Sequence, residues 1–211
     1  MNKKYDPLLH EEYGQRQPSL AFLPYHGETP PKGVVLVSAG GGFTYKSHHE
    51  GNCVAARFAQ DGYLGAVLDY RVRPYTQYDI LNDVRRAVRL LKSLAPSYGY
   101  PKDNIALLGF SAGGQVSLLG GTHFDDGNPN SPDPVERFSS RPDLILDPRF
   151  SLNLAIRLYE HNLPFELHVY DEGAHGIGLA DDTNILKEYS SHHLNTWVSL
   201  CSEWLDEKFS R

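Results

Sequence analysis

Three short stretches carry the residue types needed to break an acyl bond. The first is Gly109-Phe110-Ser111-Ala112-Gly113-Gly114, which fits G-x-S-x-G, follows the apolar run Ile105-Ala106-Leu107-Leu108 and opens a helix-like stretch. A serine lifted on a sharp strand-to-helix turn needs neighbours without side chains two positions before and two after it, and Gly109 and Gly113 supply them. Ser111 Oγ is then expected to project above a sheet as a nucleophile. An ordinary glycine-rich turn would show the same letters, but the strand before it and the helix after it favour the raised serine. The second stretch is Ser38-Ala39-Gly40-Gly41-Gly42-Phe43, after the run Val34-Val35-Leu36-Val37. Acyl transfer passes through a tetrahedral oxyanion that needs preorganised N–H donors, worth roughly 3–4 kcal/mol each. Glycines let backbone N–H groups come close, so Gly41 and Gly42 are candidate donors, joined by the N–H of Ala112. A plain turn competes with this reading. So does a phosphate loop, because Gly40 to Ser47 nearly spells G-x-x-x-x-G-K-S, yet Tyr45 occupies the position of the second glycine.

The third stretch is Asp171-Glu172-Gly173-Ala174-His175-Gly176. A serine nucleophile needs a base, and histidine has the intrinsic pKa for it. Among 10 histidines, His175 is distinguished by its glycine flanks and its place after a strand-like run. His168 falls inside that run and is expected to pack, while His192 and His193 are expected to face solvent on a final helix. His48, His49 and Glu50 suggest a metal site only weakly, since adjacent histidines do not readily share one ion and no second cluster has zinc spacing. No metal and no cofactor is expected.

The elements that must position these residues follow from periodicity. Leu20-Ala21-Phe22-Leu23 is a possible first strand or edge hairpin; 34–37, 64–68, 105–108 and 144–146 read as buried strands, and the alternating Phe165-Glu166-Leu167-His168-Val169-Tyr170 as a further one. Helices are expected over 51–61, ending at Asp61-Gly62, over about 77–95, closed by Pro96 and Gly99, after Ser111, over 151–162, and over about 183–208. In the second of these, Leu81, Val84, Val88 and Leu91 form the inner stripe, with Arg85, Arg86 and Arg89 largely outside. Strands alternating with helices imply a mostly parallel sheet with helices on both faces, and an active site outside the carboxyl ends of the strands.

Length and charge bound the rest. With 211 residues there is room for one domain, taken as 1–211. Lys+Arg 20 against Asp+Glu 26 gives a net charge of -6, which argues against nucleic-acid partners. No apolar run approaches the ~20 residues of a membrane span, and no apolar h-region follows the charged N-terminus. Cys53 and Cys201 are too few for a disulfide scaffold, so a reduced, cytoplasmic setting is expected.

Together with Leu68-Asp69-Tyr70-Arg71-Val72-Arg73-Pro74-Tyr75 and Ser139-Ser140-Arg141-Pro142-Asp143, the three stretches resemble the α/β-hydrolase acetyl esterases, in particular the bacterial acetylxylan esterase-like branch, over about 33–147 and 151–205. The chain order, serine first and histidine late, matches that fold. The resemblance implies a serine carboxylesterase removing acetyl groups from a small-molecule ester, decorated sugars among the candidates, without cofactor. Asp69 and Arg71 would brace loops near the site. Tyr45, Tyr70 and Tyr75 would line a pocket or pack, and the loop over 125–141 would cover the pocket or form a solvated connection.

The chain also departs from the family. Between Leu146 and Phe165 there is room for one helix, where the family has in addition a strand bearing the catalytic acid. The fold is thus expected to be shortened by about one strand, with Asp147-Pro148-Arg149-Phe150 as the junction. Asp147 ends a strand at the correct edge of the sheet and is the candidate acid; a strand-end turn former beside Pro148 is the alternative. Asp143 lies at the wrong end of the same strand. Loss of the acid would cost about 10⁴ in turnover. That leaves two other classes open: an inactive relic acting as a binding or scaffold domain, and a peptidase of the same fold.

Overall fold

Val34, Leu36, Leu64, Ala66, Ile105 and Leu107 face one way, and Val35, Val37, Ala106 and Leu108 the other. Each strand is therefore apolar on both sides, the signature of a sheet covered on both faces. The computed structural model describes residues 15, 17–146, 151–171, 173, 175–181 and 191–210. Its strands are β1 (Ser19–Phe22), β2 (Val34–Ser38), β3 (Leu64–Asp69), β4 (Ile105–Gly109) and β5 (Leu144–Leu146). They order as β1-β3-β2-β4-β5, with β1 antiparallel to β3 and the other pairs parallel.

Helices α1 (Asn52–Gln60), α2 (Gln77–Tyr98) and α3 (Ala112–Thr122) alternate with the strands from β2 to β5, and α4 (Ser151–Glu160) and α5 (His192–Phe209) follow β5. One core joins the sheet to α2 and α3 through Ile80, Val84, Val88, Leu91 and Val116. The other joins it to α1 and α5 through Val54, Phe58, Val198 and Leu205. Thr76 starts α2 with a reciprocal cap: its Oγ1 accepts from Asp79 N at 3.4 Å, and Asp79 Oδ2 accepts from Thr76 N at 2.9 Å. The expected strands at 20–23, 34–37, 64–68, 105–108 and 144–146 and the helix at 51–61 are all present, the first over Ser19–Phe22.

Four expectations are corrected. Pro96 does not close α2 but lies inside its last turn; the helix runs to Tyr98 and ends at Gly99, which adopts the left-handed φ of 83° and donates to Ala95 O. Proline near a helix end removes only one intrahelical N–H, which the remaining turn tolerates. Arg89 is not on an outer face. It is buried, donating to Phe138 O at 3.0 Å and to Asp125, while Arg85 donates to His123 O and Arg86 to Glu136. These arginines fasten the long 123–143 connection to α2.

The segment 165–170 forms no strand. A strand exists only through its ladder partner, and among the described residues the sheet ends at the three-residue β5, with which 165–170 does not pair. Leu167 and Val169 are consequently exposed, as are Ile156 and Tyr159 on α4. His168, expected to pack, is exposed too, with Nε2 3.1 Å from Glu166 Oε2. His192 and His193 face solvent as expected, on a helix that begins at His192.

Candidate active site

Parallel pairing of β2 with β4 sets Ser38 beside Gly109, so the chain leaves both strands at one edge of the sheet. Phe110 N donates to Ser38 O at 3.1 Å across that edge. Ser111 follows with φ 57° and ψ −125°, a conformation that side-chain-bearing residues rarely adopt, and stands at the N-cap of α3. Such strain persists only when the surroundings over-determine it, and it clusters at functional sites. Two glycines make room for it. A Cβ on Gly109 would lie 2.2 Å from Gly113 O, and one on Gly113 would lie 1.9 Å from Ser38 O. The G-x-S-x-G spacing is thus imposed by backbone packed on backbone.

His175 Nε2 lies 3.0 Å from Ser111 Oγ, although the two are 64 residues apart. Gly40 packs directly on the serine, since a Cβ there would meet Ser111 Cβ at 2.5 Å. The loop that follows is internally bonded: Thr44 N donates to Gly41 O at 3.0 Å, and Ser47 N donates to Gly40 O at 2.9 Å. Among the described residues, the N–H groups of Gly41, Gly42 and Ala112 have no acceptor. The structure therefore gathers five of the six singled-out residues, Ser111, His175, Gly41, Gly42 and Ala112, at the carboxyl edge of β2 and β4. Asp147 lies outside the described residues.

Asp143 is at the opposite end of the sheet, as its position implies. Its Oδ2 accepts from Ile105 N at 3.0 Å, at the start of β4. Although the residue as a whole is exposed, its carboxyl is turned inward, and desolvation pushes its pKa up to about 6 against the lowering effect of that hydrogen bond. Asp69 and Arg71 brace the neighbourhood. Asp69 takes a bond from Lys46, which also donates to Tyr70 O at 2.8 Å, and the Arg71 guanidinium grips the buried Asp83 and donates to Asp79 O at 2.7 Å. Tyr70 and Tyr75 are buried and pack, whereas Tyr45 is 63% exposed.

Sequence reasoning missed Glu50. Read only as the third member of a weak metal cluster, it is 2% exposed, in a 3-10 turn (His48–Glu50) wedged between the glycine loop and the histidine loop. Its Oε2 accepts from Gly40 N at 2.8 Å, and the neighbouring His49 Nε2 donates to Gly176 O at 2.7 Å. The one available signal was position: a lone carboxylate immediately after the glycine loop and before a glycine. No group of three or more His, Cys, Asp or Glu side chains that could hold a metal occurs among the described residues. No described helix is long and apolar enough to cross a membrane.

A strained serine bonded to a histidine from late in the chain, at the carboxyl edge of an alternating β/α sheet, defines an α/β-hydrolase, here shortened at the edge beyond β5. Within that class the chain belongs to the BD-FAE family of esterases, whose model matches residues 21–144. It is similar to the acetyl ester-xyloside bifunctional hydrolase of Caldicellulosiruptor lactoaceticus, at 29% identity and a TM-score of 0.80, covering 97% of this chain and 91% of that one. It is also 31% identical over 137 residues to endo-1,4-beta-xylanase B of Butyrivibrio fibrisolvens, covering 61% of this chain and 21% of that protein. Esterase LipC of Mycobacterium tuberculosis is 31% identical over 100 residues, covering 46% of this chain and 25% of that protein. The chain thus spans a quarter or less of the length of these two curated relatives.

Proposed function

We propose that the chain is a serine carboxylesterase that removes acetyl groups from small esters, including acetylated carbohydrates, through an acyl-enzyme on Ser111. The observation that carries the reading is the 3.0 Å contact between His175 Nε2 and the Oγ of a serine held at φ 57°. In this mechanism His175 Nε2 takes the Ser111 proton as Oγ attacks the acyl carbon. The negative charge that develops on the carbonyl oxygen is met by the N–H groups of Gly41, Gly42 and Ala112. The imidazolium returns its proton to the leaving alcohol oxygen as the ester C–O bond breaks, leaving an acetyl-serine. Water then attacks that ester with His175 as base, and acetate and free serine are released.

Asp147 is assigned as the acid that orients His175. The acetyl preference and the carbohydrate leaving group rest on the acetyl ester-xyloside hydrolase and the xylanase among the similar proteins. A fluorophosphonate should label Ser111, and p-nitrophenyl acetate and acetylated xylo-oligosaccharide should be cleaved. Ser111→Ala should lose labelling and cleavage together; labelling that survives in that variant would remove the assignment.

A further inference from the structure

Two side chains outside the serine and histidine grip the same peptide unit. Tyr70 Oη donates to Ala39 O at 2.6 Å, and Gly40 N donates to Glu50 Oε2 at 2.8 Å. Ala39 C=O and Gly40 N–H are the two polar ends of one planar peptide, so that plane is held from both sides and cannot rotate without breaking a buried hydrogen bond. Both anchors are themselves fixed: Tyr70 is fully buried and Glu50 is 2% exposed. The gripped plane immediately precedes Gly41 and Gly42, whose N–H groups have no acceptor among the described residues.

Burial of a carboxylate is costly unless it is well bonded, so Glu50 is not an incidental surface charge. Its second oxygen sits by the histidine loop, 3.1 Å from where a Cβ on Gly176 would be. Its contacts lie on the glycine loop at one side and on the residue after His175 at the other. It stands just after the glycine loop in the chain, and its own 3-10 turn also ties Gly176 O through His49. Burial pushes the Tyr70 hydroxyl well above the usual tyrosine range, helped by the Glu50 and Asp69 charges, so Tyr70 stays a donor to Ala39 O at any pH the enzyme meets.

We infer that Glu50 and Tyr70 are positioning residues for the oxyanion donors: by locking the Ala39–Gly40 peptide from both ends, they set the direction in which the Gly41 and Gly42 N–H groups point at the developing oxyanion. The inference rests on the esterase reading above. A rotated donor is lost from the transition state while the ground-state pocket is unchanged, so the effect belongs in kcat and not in KM.

The test is steady-state hydrolysis of p-nitrophenyl acetate by Tyr70→Phe, Glu50→Gln and Glu50→Leu, with thermal melts of each. Removing a whole oxyanion donor costs about 10²–10³ in kcat, so misdirecting one by loss of a single anchor should cost about 10–100-fold. Tyr70→Phe, which removes only the hydroxyl, should show that fall with KM changed less than about twofold. Glu50→Gln keeps an oxygen acceptor for Gly40 N–H and should keep kcat within about threefold, whereas Glu50→Leu should fall at least as far as Tyr70→Phe. The Gly40 amide proton, shifted downfield by its carboxylate partner, should move upfield in Glu50→Leu in the NMR spectrum of the intact chain, which tests the geometry even if Glu50→Leu loses stability. Wild-type turnover with both Tyr70→Phe and Glu50→Leu at wild-type kcat would overturn the positioning role and leave the esterase reading intact. Absence of wild-type turnover and of Ser111 labelling would instead remove the esterase reading, and the inference with it.

Discussion

Gly113 and Gly121 both lie on α3, and at both a Cβ would come within 1.9 Å of its nearest neighbour, yet substitution should have opposite consequences. At Gly113 that neighbour is Ser38 O, with Ser38 C at 2.5 Å and Ala39 O at 2.7 Å behind it. All three atoms are backbone at the carboxyl end of β2 and cannot swing aside. Bringing the contact out to an ordinary ~3.0 Å requires α3 and β2 to separate by about 1 Å. Ser111 rides on the first turn of α3 and moves with it, so the 3.0 Å bond to His175 Nε2 stretches to about 4 Å, beyond the ~3.2 Å reach of a hydrogen bond. Misplacement on that scale costs about 10²-fold in rate, and over-packing of this kind about 1–3 kcal/mol in stability. At Gly121 the neighbours are Ile145 Cδ1 and Cγ1. A change of rotamer there costs about 0.5–1.5 kcal/mol, offset by the roughly 1 kcal/mol that alanine gains over glycine inside a helix. Gly121→Ala should therefore melt within about 1 kcal/mol of the parent in urea and keep its p-nitrophenyl acetate turnover. Gly113→Ala should lose about 10²-fold in turnover together with its rate of fluorophosphonate labelling. Equal damage at the two positions, or a fully active Gly113→Ala, would refute the claim that backbone contact sets the serine's place.

Three further outcomes follow from the same geometry. A carboxyl whose folded pKa is raised contributes stability that is fully present below its unfolded value of ~4 and is lost as the pH rises to its folded pKa; for Asp143 that loss is complete by about 6. Asp143→Asn keeps an acceptor for Ile105 N, so relative to the parent its melting temperature should gain at pH 7.5 but not at pH 4, and a gap independent of pH would contradict the inward carboxyl. Arg71→Met strands Asp83, whose pKa burial already pushes up in spite of Arg71, and should cost about 3–5 kcal/mol in urea melts; a loss under about 1 kcal/mol would show the pair to be solvent-screened. Asp147→Asn should lower kcat for p-nitrophenyl acetate by about 10⁴ if it orients His175, and wild-type turnover in that variant would free Asp147 of the role.

The raised serine was legible because its requirements are local. Gly109 and Gly113 are demanded by atoms within four residues of one another and by the strand next door, so their spacing survives in the letters. His175 was legible for a related reason: a glycine-flanked histidine late in the chain is scarce enough to be singled out, and the sheet's alternation says at which edge it must emerge. Glu50 was not legible. Nothing in His48-His49-Glu50 distinguishes a buried carboxylate bonded to Gly40 N from three solvated polar residues, because the partner is a backbone N–H that every residue but proline carries. Arg89 was misplaced on the same ground, since the loop that buries it lies 49 residues further on.

The segment 165–170 shows the limit from the other side. Its alternation of Phe165, Leu167 and Val169 with polar residues satisfies every local condition for a strand, and it forms none. Strand formation is a property of two segments, and among the described residues the sheet's last strand is β5, with which this segment does not pair. Ser111 and His175 are in contact all the same, because Ser111 hangs from β4 and the glycine loop from β2, two interior strands, and His49 Nε2 ties the histidine loop to the turn behind them through Gly176 O. With β5 the last strand among the described residues, Ser111, His175 and the N–H groups of Gly41, Gly42 and Ala112 still stand together. The serine and the glycine loop depend on the interior of the sheet, and the histidine loop is fastened to the His48–Glu50 turn, whose Glu50 is buried.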